Sequence, residues 1–301
     1  FKKYIEYYKP WVKSFLELVN QYIRKNINLL KLTDQFNDID KYLKSKYKTL
    51  EIVDLNQNQI DKLKNKLDSK IPNSNLDGDD YTYKYLINKL NYKKMYISGG
   101  IVRNLFNNEK MKDVDISYSI NQNKVEEILK SIDGLNYIRG KNLTSYFRIG
   151  DVDNNEMDLF SINGLDTFRN AITNSLILDL NNYKVYDLFG EGIHDAKYKI
   201  FRKPPNQTYD EWLKDKGDAN LKLGRLVKFI MLGYHTYKED RIAIYNDWYY
   251  NKDKQDFINL KKFFINDTDK KMYILEKNIN KLKLNFTGSE FVDKIRMKMN
   301  L

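Results

Sequence analysis

Between residues 95 and 118 the chain reads M-Y-I-S-G-G-I-V-R-N-L-F-N-N-E-K-M-K-D-V-D-I-S-Y, an order that few folds accommodate. A short apolar run, Met95 to Ile97, enters the pair Gly99-Gly100. A helix-like segment carrying Arg103 follows, and Asp113-Val114-Asp115 then sits in a second apolar run. A glycine pair lets backbone approach a phosphate closely, and the N-terminus of the helix that follows offers it free N–H groups. Carboxylates at i and i+2 on a strand point to one face. Mg²⁺ is usually held by one or two carboxylates together with substrate phosphates. The stretch therefore predicts a triphosphate cradle beside a clamp for hard divalent cations.

The surrounding chain divides into three parts. Residues 1–93 read as a helical region: Ile5, Trp11, Val12, Phe15, Leu16, Val19 and Ile23 recur at helical spacing. A helix opens at Asn56 and runs to about Ser69, a turn-rich linker covers 71–78, and a further helix spans 81–91. Residues 94–205 alternate strands and short helices. Residues 123–132 read as a helix; 136–140 and 145–151 read as strands. Asp153-Asn154-Asn155 forms a hairpin turn, and 156–162 is the returning strand. Residues 206–301 are helical and Lys-rich. The fold class is α+β: a mixed sheet with helices, flanked by an N-terminal helical region and a C-terminal helical neck and short body.

The motif resembles the head domain of the class II tRNA nucleotidyltransferases and bacterial-type poly(A) polymerases, in the DNA polymerase beta nucleotidyltransferase superfamily. That family reads G-G-x-V-R-D-L, a spacer, then D-x-D; here it is Gly99-Gly100-Ile101-Val102-Arg103-Asn104-Leu105, then Asp113-Val114-Asp115. Asn104 stands where the family has Asp. The resemblance implies a nucleoside triphosphate substrate and two Mg²⁺ ions held by Asp113, Asp115 and a third carboxylate on a neighbouring strand. Asp158 is chosen for the third position over Glu156, which abuts the turn.

Arg169-Asn170-Ala171-Ile172-Thr173-Asn174 continues into Ser175-Leu176-Ile177-Leu178-Asp179-Leu180 and aligns without a gap to the family's R-D-F-T-I-N-A-L-x-x-D-L. The resemblance implies a helix here whose Arg169, Asn170 and Asn174 touch triphosphate and ribose. Residues 186–195 resemble D-P-F-G-G-x-x-D-L, with Asp195 expected to cap a helix. Residues 218–229 resemble the neck motif E-D-P-L-R-I-L-R-A-I-R-F. This implies nucleotide contact by Asp218, Lys222 and Arg225 from a basic helical stripe that also holds Lys228. Ala219 replaces the second acid, and Lys lacks the bidentate fork of Arg, so base reading of the usual kind is weakened.

Composition fits a polyanion partner. There are 52 Lys+Arg against 41 Asp+Glu, a net charge of +11, and such a surplus attracts nucleic acid in a salt-sensitive way. With no cysteine there is neither disulfide nor Cys-based zinc site, and a reducing, intracellular compartment is expected. His194 and His235 stand far from any partner and read as structural. No apolar run is long enough to cross a membrane, and residues 1–19 are too charged for a signal peptide. The sequence thus predicts a template-independent RNA 3′-terminal nucleotidyltransferase using ATP or another NTP and Mg²⁺. It leans to poly(A)-type tailing of mRNA or tRNA ends, with C-C-A addition to tRNA as the alternative. From a different class, a non-catalytic RNA-binding or partner subunit with a relic head is the competing reading. A protein partner could engage the N-terminal helical region.

Overall fold

The computed structural model describes residues 39–71, 82–90, 95–107, 109–118, 122–139, 146–150, 155–161, 174–205, 207–214, 219–250, 261, 264 and 267–299. Two compact units are distinguished, Phe1–Lys48 and Thr49–Leu301. The helical stripe expected from Ile5 to Ile23 lies outside the described residues. In the first unit the described part is helix α1 (Ile39–Lys46), which buries Leu43 and ends with Tyr47 N–H donating to the Leu43 carbonyl.

The second unit is organised by one eight-stranded sheet. Its strands are β1 (Glu51–Asp54), β2 (Met95–Ser98), β3 (Val114–Tyr118), β4 (Tyr137–Arg139), β5 (Tyr146–Gly150), β6 (Asn155–Ser161), β7 (Leu176–Asp179) and β8 (Lys184–Asp187). Their order across the sheet is β1-β8-β7-β2-β3-β6-β5-β4, and among these neighbours β3 and β6 run parallel. Strand β1 corrects the expectation of an all-helical stretch before residue 94. Four residues carry little periodicity, and Glu51–Asp54 become a strand because the β8 edge offers them antiparallel partners. Gly190, at φ +69°, makes room for this: a Cβ there would lie 2.8 Å from the Thr49 carbonyl oxygen.

Helices α2 (Gln57–Leu67), α3 (Tyr83–Lys89), α4 (Gly100–Asn107), α5 (Gln122–Lys130) and α6 (Gly192–Lys197) belong with the sheet. The start of α2 is legible locally. Asn56 Oδ1 accepts from Gln59 N–H at 2.9 Å, and Gln59 Oε1 accepts from Asn56 N–H at 3.0 Å, a reciprocal capping box. One apolar core lies between sheet and helices, with Ile97, Val102, Val114, Ile116, Phe147, Met157, Leu159 and Leu178 at its centre.

A second core gathers the C-terminal helices α7 (Tyr209–Lys214), α8 (Ala219–Met231), α9 (Lys238–Tyr250), α10 (Thr268–Asn280) and α11 (Gly288–Met299) around Phe229, Tyr245, Trp248 and Phe291. Strands β9 (Ile200–Phe201) and β10 (His235–Thr236) pair in parallel between α6 and these helices. The two cores are linked at the end of α4, where Asn107 Nδ2 donates to Tyr234 Oη at 2.8 Å; beyond the helix, Glu109 pairs with Lys199, next to β9, at 2.8 Å.

Two local expectations are corrected. Residues 176–179 form strand β7, paired with β2 and β8, where a continuous helix from Arg169 was expected. Leu176-Ile177-Leu178 is a short apolar run that fits a buried strand as well as a helix, and the two open sheet neighbours decide it. Asp195 does not cap α6. Asp187, at the end of β8, does so: its Oδ2 accepts from Ile193 N–H at 2.8 Å. Asp195, fully buried inside α6, instead takes Arg202 through Nε at 2.8 Å and Nη2 at 3.0 Å.

Candidate active site

The Gly pair links β2 to α4 at the centre of the sheet. Gly99 has φ +75°, a left-handed backbone that side chains rarely adopt. A Cβ at Gly99 would stand 2.5 Å from Asp115 Oδ2, so the bare turn is what lets the carboxylate lie against it. Gly100 opens α4, and a Cβ there would lie 3.5 Å from Arg103 Nη2. The first turn of α4 and one guanidinium nitrogen thus border the same space.

Arg103 is held firmly. It is only 6 % exposed, Nε donates to Asn104 Oδ1 at 3.1 Å, and Nη1 donates to Asn174 Oδ1 at 2.8 Å. Its guanidinium lies over the rings of Phe229 and Tyr234, 5.1 and 5.9 Å from their centroids. Asn104 also donates through Nδ2 to the Lys110 carbonyl at 2.8 Å, bridging α4 to the approach of β3. An aspartate could accept from Arg103 but could not make this second bond. Asn174, expected to face a ribose, accepts from Arg103 through its Oδ1.

The carboxylates come together across the parallel pair β3–β6. Asp115 is in register with Asp158, and on its other side with Ser98 of β2. Asp113 immediately precedes β3 and is exposed. Burial, and then the charges of Asp158 and Asp113, push the Asp115 carboxyl up to about 7, against the pull of Lys228 and Arg225. Asp158 is contacted by Arg148, its cross-strand partner on β5, with Nε 3.4 Å from Oδ1. Glu156 also lies in β6, but its side chain is outside the described residues. Among the described residues no three His, Cys, Asp or Glu side chains are gathered into a ready-made cation cage.

Helix α8 supplies cations to these carboxylates. Loss of water around Arg225 brings its guanidinium down to about 10, with Asp115 acting in the opposite direction. Lys228 is also drawn down by desolvation, and Asp113 and Asp115 partly offset this. Lys222 does not share that face. It is 3 % exposed and its ammonium donates to the Leu213 carbonyl, tying α8 to α7. Residues six apart on a helix are rotated by about 120°, which carries Lys222 away while Arg225 and Lys228 stay in the field of the carboxylates. Arg169, Asn170 and Asp218 lie outside the described residues.

The reading of motifs passed over Arg148. A turn at Asp153-Asn154-Asn155 centres on Asn154 and pairs 148 with 160, whereas the register observed pairs Arg148 with Asp158. The register shift at Ile149/Gly150 is why the turn alone does not guarantee this pairing.

No protein-family model and no curated protein matches the chain. Similarity is found to solved structures. With a CCA-adding enzyme in complex with CTP the identity is 14 % and the TM-score 0.45, over 71 % of this chain and 48 % of that one. For the Bacillus stearothermophilus CCA-adding enzyme in complex with CTP the values are 17 % and 0.49, over 71 % and 55 %. For the Thermotoga maritima CCA-adding enzyme complexed with tRNA they are 13 % and 0.41, over 71 % and 48 %. The chain spans about half the length of these structures.

Proposed function

We propose that this protein is a template-independent nucleotidyltransferase that joins the nucleotide of an NTP to the 3′-hydroxyl of RNA and releases pyrophosphate. The observation that carries the reading is the juxtaposition of the Gly99-Gly100 turn, the first turn of α4 and the Asp115–Asp158 cross-strand pair.

The residues fit a divalent cation. All three candidate donors are hard carboxylate oxygens, and the burial and mutual repulsion that together hold Asp115 up to about 7 disfavour its bare charge, which a cation would compensate. Asp113, Asp115 and Asp158 would hold two Mg²⁺ ions, with Asp158 on the hydroxyl side. Bound there, Mg²⁺ neutralises charge on the triphosphate and makes the hydroxyl easier to deprotonate.

The chain's own groups supply the rest. The N–H groups at the start of α4 and Nη2 of Arg103 would donate to phosphate oxygens. Asn104 and Asn174 hold Arg103 in place, so little ordering is needed when the phosphates arrive. Arg225 and Lys228 bring positive charge to the face where negative charge builds up on the α-phosphorus oxygens. The 3′-oxygen forms its bond to the α-phosphorus as the bond to the bridging oxygen of pyrophosphate breaks. Arg169, Asn170 and Asp218 are carried as further nucleotide contacts on the sequence resemblance.

We favour ATP tailing, because Lys222 is buried against Leu213 and so is withdrawn from base reading. C-C-A addition is the second reading, favoured by Arg225, which keeps a guanidinium fork close to Asp115. The test uses a tRNA lacking its three terminal residues. ATP alone should extend it, and adding CTP should not give a discrete three-nucleotide product. A clean stop that needs both nucleotides establishes C-C-A addition. No extension with any NTP favours the relic-head reading.

A further inference from the structure

Arg148 belongs to none of the motifs that announce the site, yet it stands in the same row of the sheet. Side chains on adjacent strands in register share a face, and here the row runs Arg148, Asp158, Asp115, Ser98. A cation therefore flanks the two carboxylates at one end and a neutral hydroxyl flanks them at the other. Arg148 Nε is 3.4 Å from Asp158 Oδ1, and the two side chains are 28 % and 19 % exposed, so water screens the pair incompletely. A divalent cation drawn to Asp158 meets a positive charge already resident on that carboxylate. Neither Asp113 nor Asp115 has a guanidinium as its direct cross-strand neighbour among the described residues.

We propose that Arg148 is a positioning residue, the resident counter-ion of Asp158, which holds that carboxylate in the metal-free site and lowers the site's affinity for divalent cations before substrate binds. This rests on the reading that Asp113, Asp115 and Asp158 form the metal site. Removing one positive charge near a partly buried site should tighten binding by about 3- to 10-fold, well below the unscreened Coulomb value.

The experiment titrates Mn²⁺ into the nucleotide-free protein and follows free Mn²⁺ by electron paramagnetic resonance, with thermal melts to verify folding. Arg148→Gln should bind Mn²⁺ about 3- to 10-fold more tightly than wild type, and Arg148→Lys should resemble wild type. Arg148→Met keeps the aliphatic stem and carries the same expectation if Gln is not tolerated. In an Asp158→Asn background the second change should have a smaller effect, because the direct contact through Asp158 is gone and only the charge acting through space remains. Unchanged or weaker binding by the charge-removing variants overturns the inference, as does an equal gain in the Asp158→Asn background. If wild type binds Mn²⁺ no better than Asp115→Asn does, the metal site itself is wrong and the inference goes with it. Binding lost in Asp115→Asn but unaltered in Arg148→Gln sinks the inference alone.

Discussion

Gly99 and Asp115 are set so closely that a methyl group on the glycine would lie 2.5 Å from Oδ2 of the aspartate. The glycine is thus required twice, by its φ of +75° and by the carboxylate beside it. Gly99→Ala should lose about 1–3 kcal/mol from the backbone alone and displace Asp115. We expect a thermal midpoint several degrees lower and at least about 100-fold slower RNA extension, the scale of a lost transition-state contact. Gly100→Ala is the contrasting case: a Cβ 3.5 Å from Arg103 Nη2 is an ordinary contact. It should melt near wild type while its KM for NTP rises. Equal stability of Gly99→Ala and wild type would contradict the geometry.

Asp113→Ala and Asp115→Ala should each abolish nucleotide addition, by about 10³-fold or more, without unfolding the protein. Asp158→Ala should do the same. If Glu156→Ala is inactive and Asp158→Ala active, the third carboxylate is Glu156. A sizing gel with labelled RNA reads each outcome.

The proton on Asp115 makes metal binding depend on pH. Its carboxyl titrates at about 7 in the fold, against 3.8 ordinarily. Between roughly those values the native state keeps a proton that the unfolded chain releases, so this group's contribution to stability falls as pH rises through the window. A divalent cation must displace that proton. Mg²⁺ should therefore raise the thermal midpoint more at pH 8 than at pH 6, by calorimetry against an EDTA control. Equal shifts at both pH values would mean that the cation binds elsewhere.

Asn104 is predicted to resist replacement by Asp. The change keeps the acceptor for Arg103 but turns the donor to Lys110 into a second acceptor, facing a carbonyl at hydrogen-bond distance. The attraction to Arg103 offsets only part of this. We expect Asn104→Asp to lose about 1–2 kcal/mol in urea unfolding. A more stable variant would show that the Lys110 bond is dispensable.

Buried Asp195 and partly exposed Arg202 form the pair that ties α6 to the residue following β9. Arg202 is raised above its usual value, chiefly by its hydrogen bond to Asp195. Asp195→Ala leaves that guanidinium with Glu191 at a half-exposed position. The loss should be about 1–3 kcal/mol, read from the urea midpoint, and Asp195→Asn should lose less. A change below about 1 kcal/mol would mean that Glu191 alone suffices.

The local grammar of this chain was enough to announce the turn-helix-strand core of the site. Gly99-Gly100 demanded a bare turn, the stretch from Asn56 opened a helix, and the alternation from 156 to 162 spelled a strand. Each of these is set by residues within a few positions of one another. Relations across the sheet were not legible in that way. That Asp115 faces Asp158, that Arg148 stands behind it, and that Glu51–Asp54 complete the sheet at β8 are matters of strand register. Register is decided by which side chains the sheet buries in its own core and by a bulge at Ile149/Gly150. The same holds for Lys222 and Arg225, three residues apart on one helix. Helical rotation and the packing of α8 against α7 bury one and leave the other facing a carboxylate.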